Sequence, residues 1–95
     1  MDTHTKLFKN SGTLTRIIDA NAIVIFVNDN DDSLNKDVYI FNDTGTRVWE
    51  LINAGSTVEE IVKKLCFEYE IASEEAIKYV KKFTENLAEK KLINS

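Results

Sequence analysis

Few side chains in this sequence could do covalent chemistry, and their placement argues against it. His4 is the one histidine. It falls in a polar stretch with no strand or helix period, so a histidine dyad or triad has no frame to hold it. Cys66 is the one cysteine. It sits at the edge of an apolar helical stripe and reads as a buried, inert thiol. A single cysteine also forms no intrachain disulfide, which suits a reducing cytosol. Asp29, Asp31 and Ser33 have the spacing that opens a calcium loop. Leu34, however, stands where the sharp turn needs glycine, and Ile40 where a bidentate glutamate belongs. The run therefore reads as a solvated turn. No Cys/His cluster offers a zinc or iron–sulfur site. Gly12, Gly45 and Gly55 are isolated and do not form a phosphate loop. These exclusions point to a non-catalytic chain with no cofactor of its own.

Binding chemistry is better represented. Asp37, Val38, Tyr39, Ile40 and Phe41 form a short run that alternates two apolar faces, with Val38 and Ile40 on one and Tyr39 and Phe41 on the other. If this strand lies at a sheet edge, its unpaired N–H and C=O groups can accept an extended peptide. Lys78, Lys81 and Lys82 flank an apolar helical stripe. They read either as a solvated face or as a basic wall for an acidic partner. Ile77, Lys81, Thr84 and Ala88 lie along one flank of that stripe and Val80 within it; this flank is the one expected to contact a partner, although helical spacing alone does not distinguish it from the opposite flank.

The elements that must position these residues follow from pattern and length. The 95 residues suffice for one domain and leave little room for an internal cavity. Residues 1–12 have no period and are expected to be a loose arm ahead of a domain over 13–95. Residues 13–19 and 22–27 are rich in β-branched side chains around a turn at Ala20-Asn21, which predicts a hairpin. Residues 37–41 make a third strand. Asn42 then caps a helix whose apolar face is Val48, Trp49, Leu51 and Ile52, with Gly55 closing it. Trp49 is its core anchor. Ser56 with Glu59, or Thr57 with Glu60, forms a capping box for a second helix with the stripe Val58, Ile61, Val62, Leu65 and Tyr69. A third helix starts at Ser73 with Glu74 and Glu75 in its first turn and Lys90 and Lys91 in its last. Its stripe is Ala76, Val80, Phe83, Thr84 and Leu87. The order βββααα predicts an α+β domain, winged-helix-like, in which a three-stranded antiparallel sheet is followed by three helices.

Two stretches carry a family resemblance. One is FNDTGTRVWELI over residues 41–52. The other is GSTVEEIVKKL over residues 55–65, continued by EYEIASEEA over 68–76 and a helix running to Leu92-Ile93. Together they resemble the PqqD-like family, also called the RiPP recognition element. Its pattern has a strand ending in Leu/Phe-Asn, a Thr-Gly, an aromatic-bearing first helix, Thr-Val-Glu-Glu-Ile and an acidic start to the third helix. The resemblance covers roughly residues 13–93. It implies a protein that binds the leader segment of a ribosomally made precursor peptide. The leader adds as a strand beside the third strand, in a groove bounded by the third helix. It implies as partners that precursor and a modifying enzyme, of the radical-SAM or leader-peptidase class. Members often carry apolar residues where this chain has Lys81 and Thr84. If those positions face the groove, the preferred leader is more polar or acidic.

Bulk charge agrees with a peptide partner. The net charge of -4 and a pI near 4.9 oppose phosphate backbones, so nucleic acid is not expected. A winged-helix nucleic-acid module would need a basic recognition helix, and Glu74, Glu75, Glu85 and Glu89 offset the lysines of the third helix. A purely structural subunit of an enzyme complex is the other alternative. No run approaches the ~18 apolar residues of a membrane span, and the N-terminus has no apolar signal core. A cytoplasmic, membrane-free protein is expected. Finally, the strand over residues 23–27 is apolar on both faces. One face should meet the helices. The other docks a partner enzyme, pairs with a second copy as a homodimer, or is covered by Leu7 and Phe8 of the arm.

Overall fold

The computed structural model describes residues 3–27, 36–52 and 55–94. The acidic run over 29–33 lies outside the described residues. In chain order the elements are β1 (Lys6–Lys9), β2 (Thr13–Ile18), β3 (Asn21–Val27), β4 (Lys36–Phe41), α1 (Asp43–Leu51), β5 (Ser56–Thr57), α2 (Val58–Tyr69), α3 (Ser73–Glu89) and β6 (Ile93–Asn94). The α+β class and the succession of three antiparallel strands and three helices are as the sequence predicts. A second small sheet is added to them.

The main sheet has the order β2-β3-β4, antiparallel throughout. Ile18 opposes Asn21, so the hairpin loop is Asp19-Ala20 and not Ala20-Asn21. Both loop residues have positive φ, 52° and 67°. That is the backbone demanded by a two-residue turn that matches the strand twist. On β3, Ala22, Val24 and Phe26 are buried against the helices, as alternation requires. Phe41 and Tyr39 of β4 oppose Ala22 and Val24 and so share that inner face. Ile23, Ile25, Val38 and Ile40 share the outer one.

Helix ends are set by local hydrogen bonds. Asn42 Oδ1 accepts from the Gly45 N–H at 2.8 Å. Of the two possible capping boxes, Thr57 with Glu60 is the one that forms. α3 begins after Ala72 with no side-chain cap, so Glu74 and Glu75 supply the favourable charge in its first turn. It ends at Glu89, one residue before the lysines expected in its last turn. Lys90 is the cap and Lys91 is left-handed, with φ 62°. The Leu92 N–H reaches Leu87 O and the Lys91 N–H reaches Ala88 O, which is the Schellman arrangement. Leu87 and Leu92 are both buried, supplying its apolar contact. α1 stops earlier than expected, at cap Ile52. Gly55, left-handed at φ 89°, serves the turn into β5.

The arm expected over residues 1–12 is corrected in part. β1 is a strand, pairing Lys6 with Thr57 and Leu7 with Ser56 on one side, and Phe8 with Asn94 and Lys9 with Ile93 on the other. Leu7 is wholly buried in the core beside Val58 and Ile93. Asn10 extends the clamp: its N–H reaches Leu92 O and its side-chain amide reaches Lys91 O. A four-residue strand whose partners lie some fifty and eighty residues away leaves no local period to read. His4 is fixed there too, with Nδ1 3.1 Å from Glu59 Oε2.

Candidate functional site

β4 is an edge of the main sheet, and among the described residues no strand pairs beyond it. In an antiparallel pair alternate residues turn their N–H and C=O away from the partner, so β4 presents an open ladder of donors and acceptors. The inner-face side chains of this edge run toward α3. Phe41 meets Phe83 edge to face at 5.1 Å and Trp49 at 5.8 Å. Phe83 is stacked with Tyr79 at 5.9 Å, one turn back along α3. Lys90 Nζ lies 5.4 Å from the Tyr39 ring centroid, within cation–π range. A depression of about 320 Å³ on this side is lined by Tyr79, Lys82, Phe83 and Asn86.

Gly45 allows this packing. A Cβ there would stand 3.2 Å from Phe83 Cε1 and 3.3 Å from Phe41 Cβ. The glycine of the Thr44-Gly45 pair thus brings the start of α1 against both rings. Burial raises the phenol pKa of Tyr39 above its ordinary 10.0, and nearby Asp37 adds to the rise. Burial does the same for Tyr79, with Asp43 and Tyr69 contributing. Both phenols therefore stay neutral donors near pH 7. The wall is aromatic, with Lys82 and Lys90 as cations and Asn86 as a neutral polar group.

The expected site residues divide sharply. Asp37, Val38, Tyr39, Ile40 and Phe41 lie on the edge strand β4, with Tyr39 and Phe41 turned toward α3 and Val38 and Ile40 outward. On α3 the expected flank is the opposite one. Ile77 lines a separate depression with Thr3, Glu59, Val62, Lys63 and Ser73, on the α2 side. Val80 and Thr84 are wholly buried, and the Thr84 hydroxyl donates back to Val80 O at 2.8 Å. Lys81 and Ala88 share the flank of Ile77 and Thr84 by helical spacing, and both are half-buried. Lys78 is exposed, and the same spacing keeps it away from β4. The flank beside β4 instead carries Tyr79, Phe83, Asn86 and Lys90, at i, i+4, i+7 and i+11. Sequence reasoning passed over these residues. The available signal was the aromatic pair Tyr79 and Phe83, matched to the aromatic inner face of the third strand.

Cys66 is half-buried and free. Among the described residues no group of His, Cys, Asp or Glu could hold a metal ion. Among the described residues no helix is long and apolar enough to cross a membrane.

No curated protein matches the chain. A solved structure, TbiB1 in complex with the TbiA(beta) leader peptide, has the same fold. It superposes with a TM-score of 0.77 at 22% identity, covering 93% of this chain and 95% of that one. The family model described as coenzyme PQQ synthesis protein D (PqqD) matches residues 23–93, from the middle strand of the main sheet to the end of the fold. By that match the chain belongs to the PqqD family.

Proposed function

We propose that the protein is a non-catalytic adaptor. It binds the leader segment of a ribosomally synthesised precursor peptide by strand addition and delivers it to a modifying enzyme of the radical-SAM or leader-peptidase class in the cytoplasm. The observation that carries this reading is the open edge of β4 lying beside an aromatic wall on α3. An extended peptide laid along residues 37–41 satisfies the unpaired backbone groups, which gives affinity. Its alternate side chains reach the depression on α3 lined by Tyr79, Lys82, Phe83 and Asn86, which gives specificity. Lys82 and Lys90 favour a carboxylate on the peptide, and the stacked Tyr79 and Phe83 favour an apolar or aromatic side chain. TbiB1, which shares the fold, is seen holding a leader peptide.

The mechanism is tethering. The adaptor holds the leader and the enzyme holds the adaptor, so the modifiable part of the precursor stays at raised effective concentration near the enzyme's active site. All bond-making belongs to the enzyme. The test is calorimetric titration with a synthetic leader of the cognate precursor peptide. A micromolar dissociation constant, about 8 kcal/mol, with a negative heat-capacity change is expected. A folded protein that gives no binding at leader concentrations of about 1 mM would overturn the reading.

A further inference from the structure

Among the described residues, nothing covers the outer face of the main sheet. Leu14 and Ile18 of β2, Ile23 and Ile25 of β3, and Val38 and Ile40 of β4 stand on it in register. Leu14 is 65% exposed, Val38 57% and Ile40 70%. The N-terminal segment does not cover them, because β1 is held in the other sheet with Leu7 in the core. A hollow of about 460 Å³ opens on this face, lined by Leu14, Thr15, Arg16, Ile23 and Ile25. Contiguous apolar surface of this kind on a small domain marks a contact with another macromolecule.

A charged side chain, Arg16, stands within it. Arg16 opposes Ile23 and is exposed, and it pairs with no carboxylate among the described residues. No Asp or Glu shares the outer face of the described strands, since Asp37 opposes Phe26 and so belongs to the inner one. Two copies packed face to face would bring two guanidinium groups into one apolar contact, with no acid from the described strands to meet either. An unpaired buried charge of that kind is strongly unfavourable. Charge complementarity therefore selects a different protein, with an apolar surface that carries a carboxylate. Position matters as well. Val38 and Ile40 carry the face to the open edge of β4, so a protein docked there lies alongside any strand added to that edge.

We propose that the outer face of the β2-β3-β4 sheet is the surface that docks the modifying enzyme, through an apolar contact in which an enzyme carboxylate meets Arg16. This rests on the adaptor reading for the identity of the partner, and it uses a different face from the leader groove.

The test uses the full chain, the purified cognate modifying enzyme, and a labelled synthetic leader. Arg16→Glu and Leu14→Thr change exposed residues and leave the core untouched. Arg16→Glu should weaken enzyme binding by about tenfold or more, as expected for reversing one member of a close interfacial charge pair. Arg16→Lys should retain most of the affinity, and leader affinity should be unchanged in all three variants. If enzyme binding responds in this way while the wild-type chain binds no leader, the docking surface stands and the adaptor reading falls. Enzyme affinity that survives both Arg16→Glu and Leu14→Thr would overturn the proposal. So would a wild-type dimer in sedimentation that Leu14→Thr converts to monomer, because a second copy would then own the face.

Discussion

The ring of Phe83 meets the ring of Phe41 edge to face across 5.1 Å, joining the middle of α3 to the last residue of β4. Both walls of the candidate groove depend on this contact. Phe83→Ala should lower stability by about 2 kcal/mol, since the ring is only half-buried. It should also lower leader affinity by about tenfold, ~1.4 kcal/mol. Tyr79→Ala, on the same flank, should cost affinity with little stability. Ile77→Ala, on the flank facing α2, should leave affinity unchanged. Equal losses from Tyr79→Ala and Ile77→Ala would show that the groove has been placed on the wrong side of α3.

Leu7 tests whether the N-terminal strand is part of the fold. It is wholly buried between elements from the middle and the end of the chain. Leu7→Ala should destabilise the protein by about 2–5 kcal/mol, read from urea unfolding. A change below about 0.5 kcal/mol is the size expected of a surface site and would return residues 6–9 to the status of a loose arm.

Trp49 is fully buried, and its indole N–H donates to Thr15 Oγ1 at 2.8 Å. This bond fixes α1 to β2 across the sheet. Thr15→Val keeps the shape and the strand preference but removes the acceptor. A loss of about 1–3 kcal/mol is expected, the cost of an unpaired buried donor. The m-value should not change, because the surface exposed on unfolding is the same.

The pair Arg47 and Glu68 joins α1 to α2 through two hydrogen bonds, at 2.7 and 2.6 Å. The hydrogen bond from Arg47 holds the Glu68 carboxyl below its ordinary 4.5, and the Arg47 and Lys64 charges add to the effect. A carboxyl with a lowered folded pKa binds fewer protons in the folded state. Its stabilising contribution is therefore present above 4.5 and is lost as pH falls through the folded value. Melting temperatures of wild type and Glu68→Gln should differ at neutral pH and converge as acid is added. A constant offset down to the lowest pH would contradict this assignment.

Much of the fold was legible because its signals are local. Asn42 and the Thr57–Glu60 box mark helix starts within four residues, and the alternation of Val38, Tyr39, Ile40 and Phe41 assigns both faces of β4. What was missed depends on distance or symmetry. β1 pairs with Thr57 and Asn94, and four residues carry no period by which to find them. The hairpin loop was displaced by one residue because Ala20, a poor turn former, adopts positive φ beside Asp19. The flank of α3 that lies beside β4 was not legible because a stripe of Ala76, Val80 and Leu87 has two equivalent sides on a helical wheel. Only the packing of Phe41 against Phe83 distinguishes them.

The central claim is that a leader peptide adds to β4 beside the aromatic flank of α3. Amide NMR titration of the labelled protein with the synthetic leader tests it most directly. The account predicts shifts concentrated at residues 37–41 and around Tyr79, Phe83, Asn86 and Lys90, with new protection from exchange along β4. Saturable binding whose shifts fall instead on β2, or on Ile77 and its neighbours on α2, would contradict it.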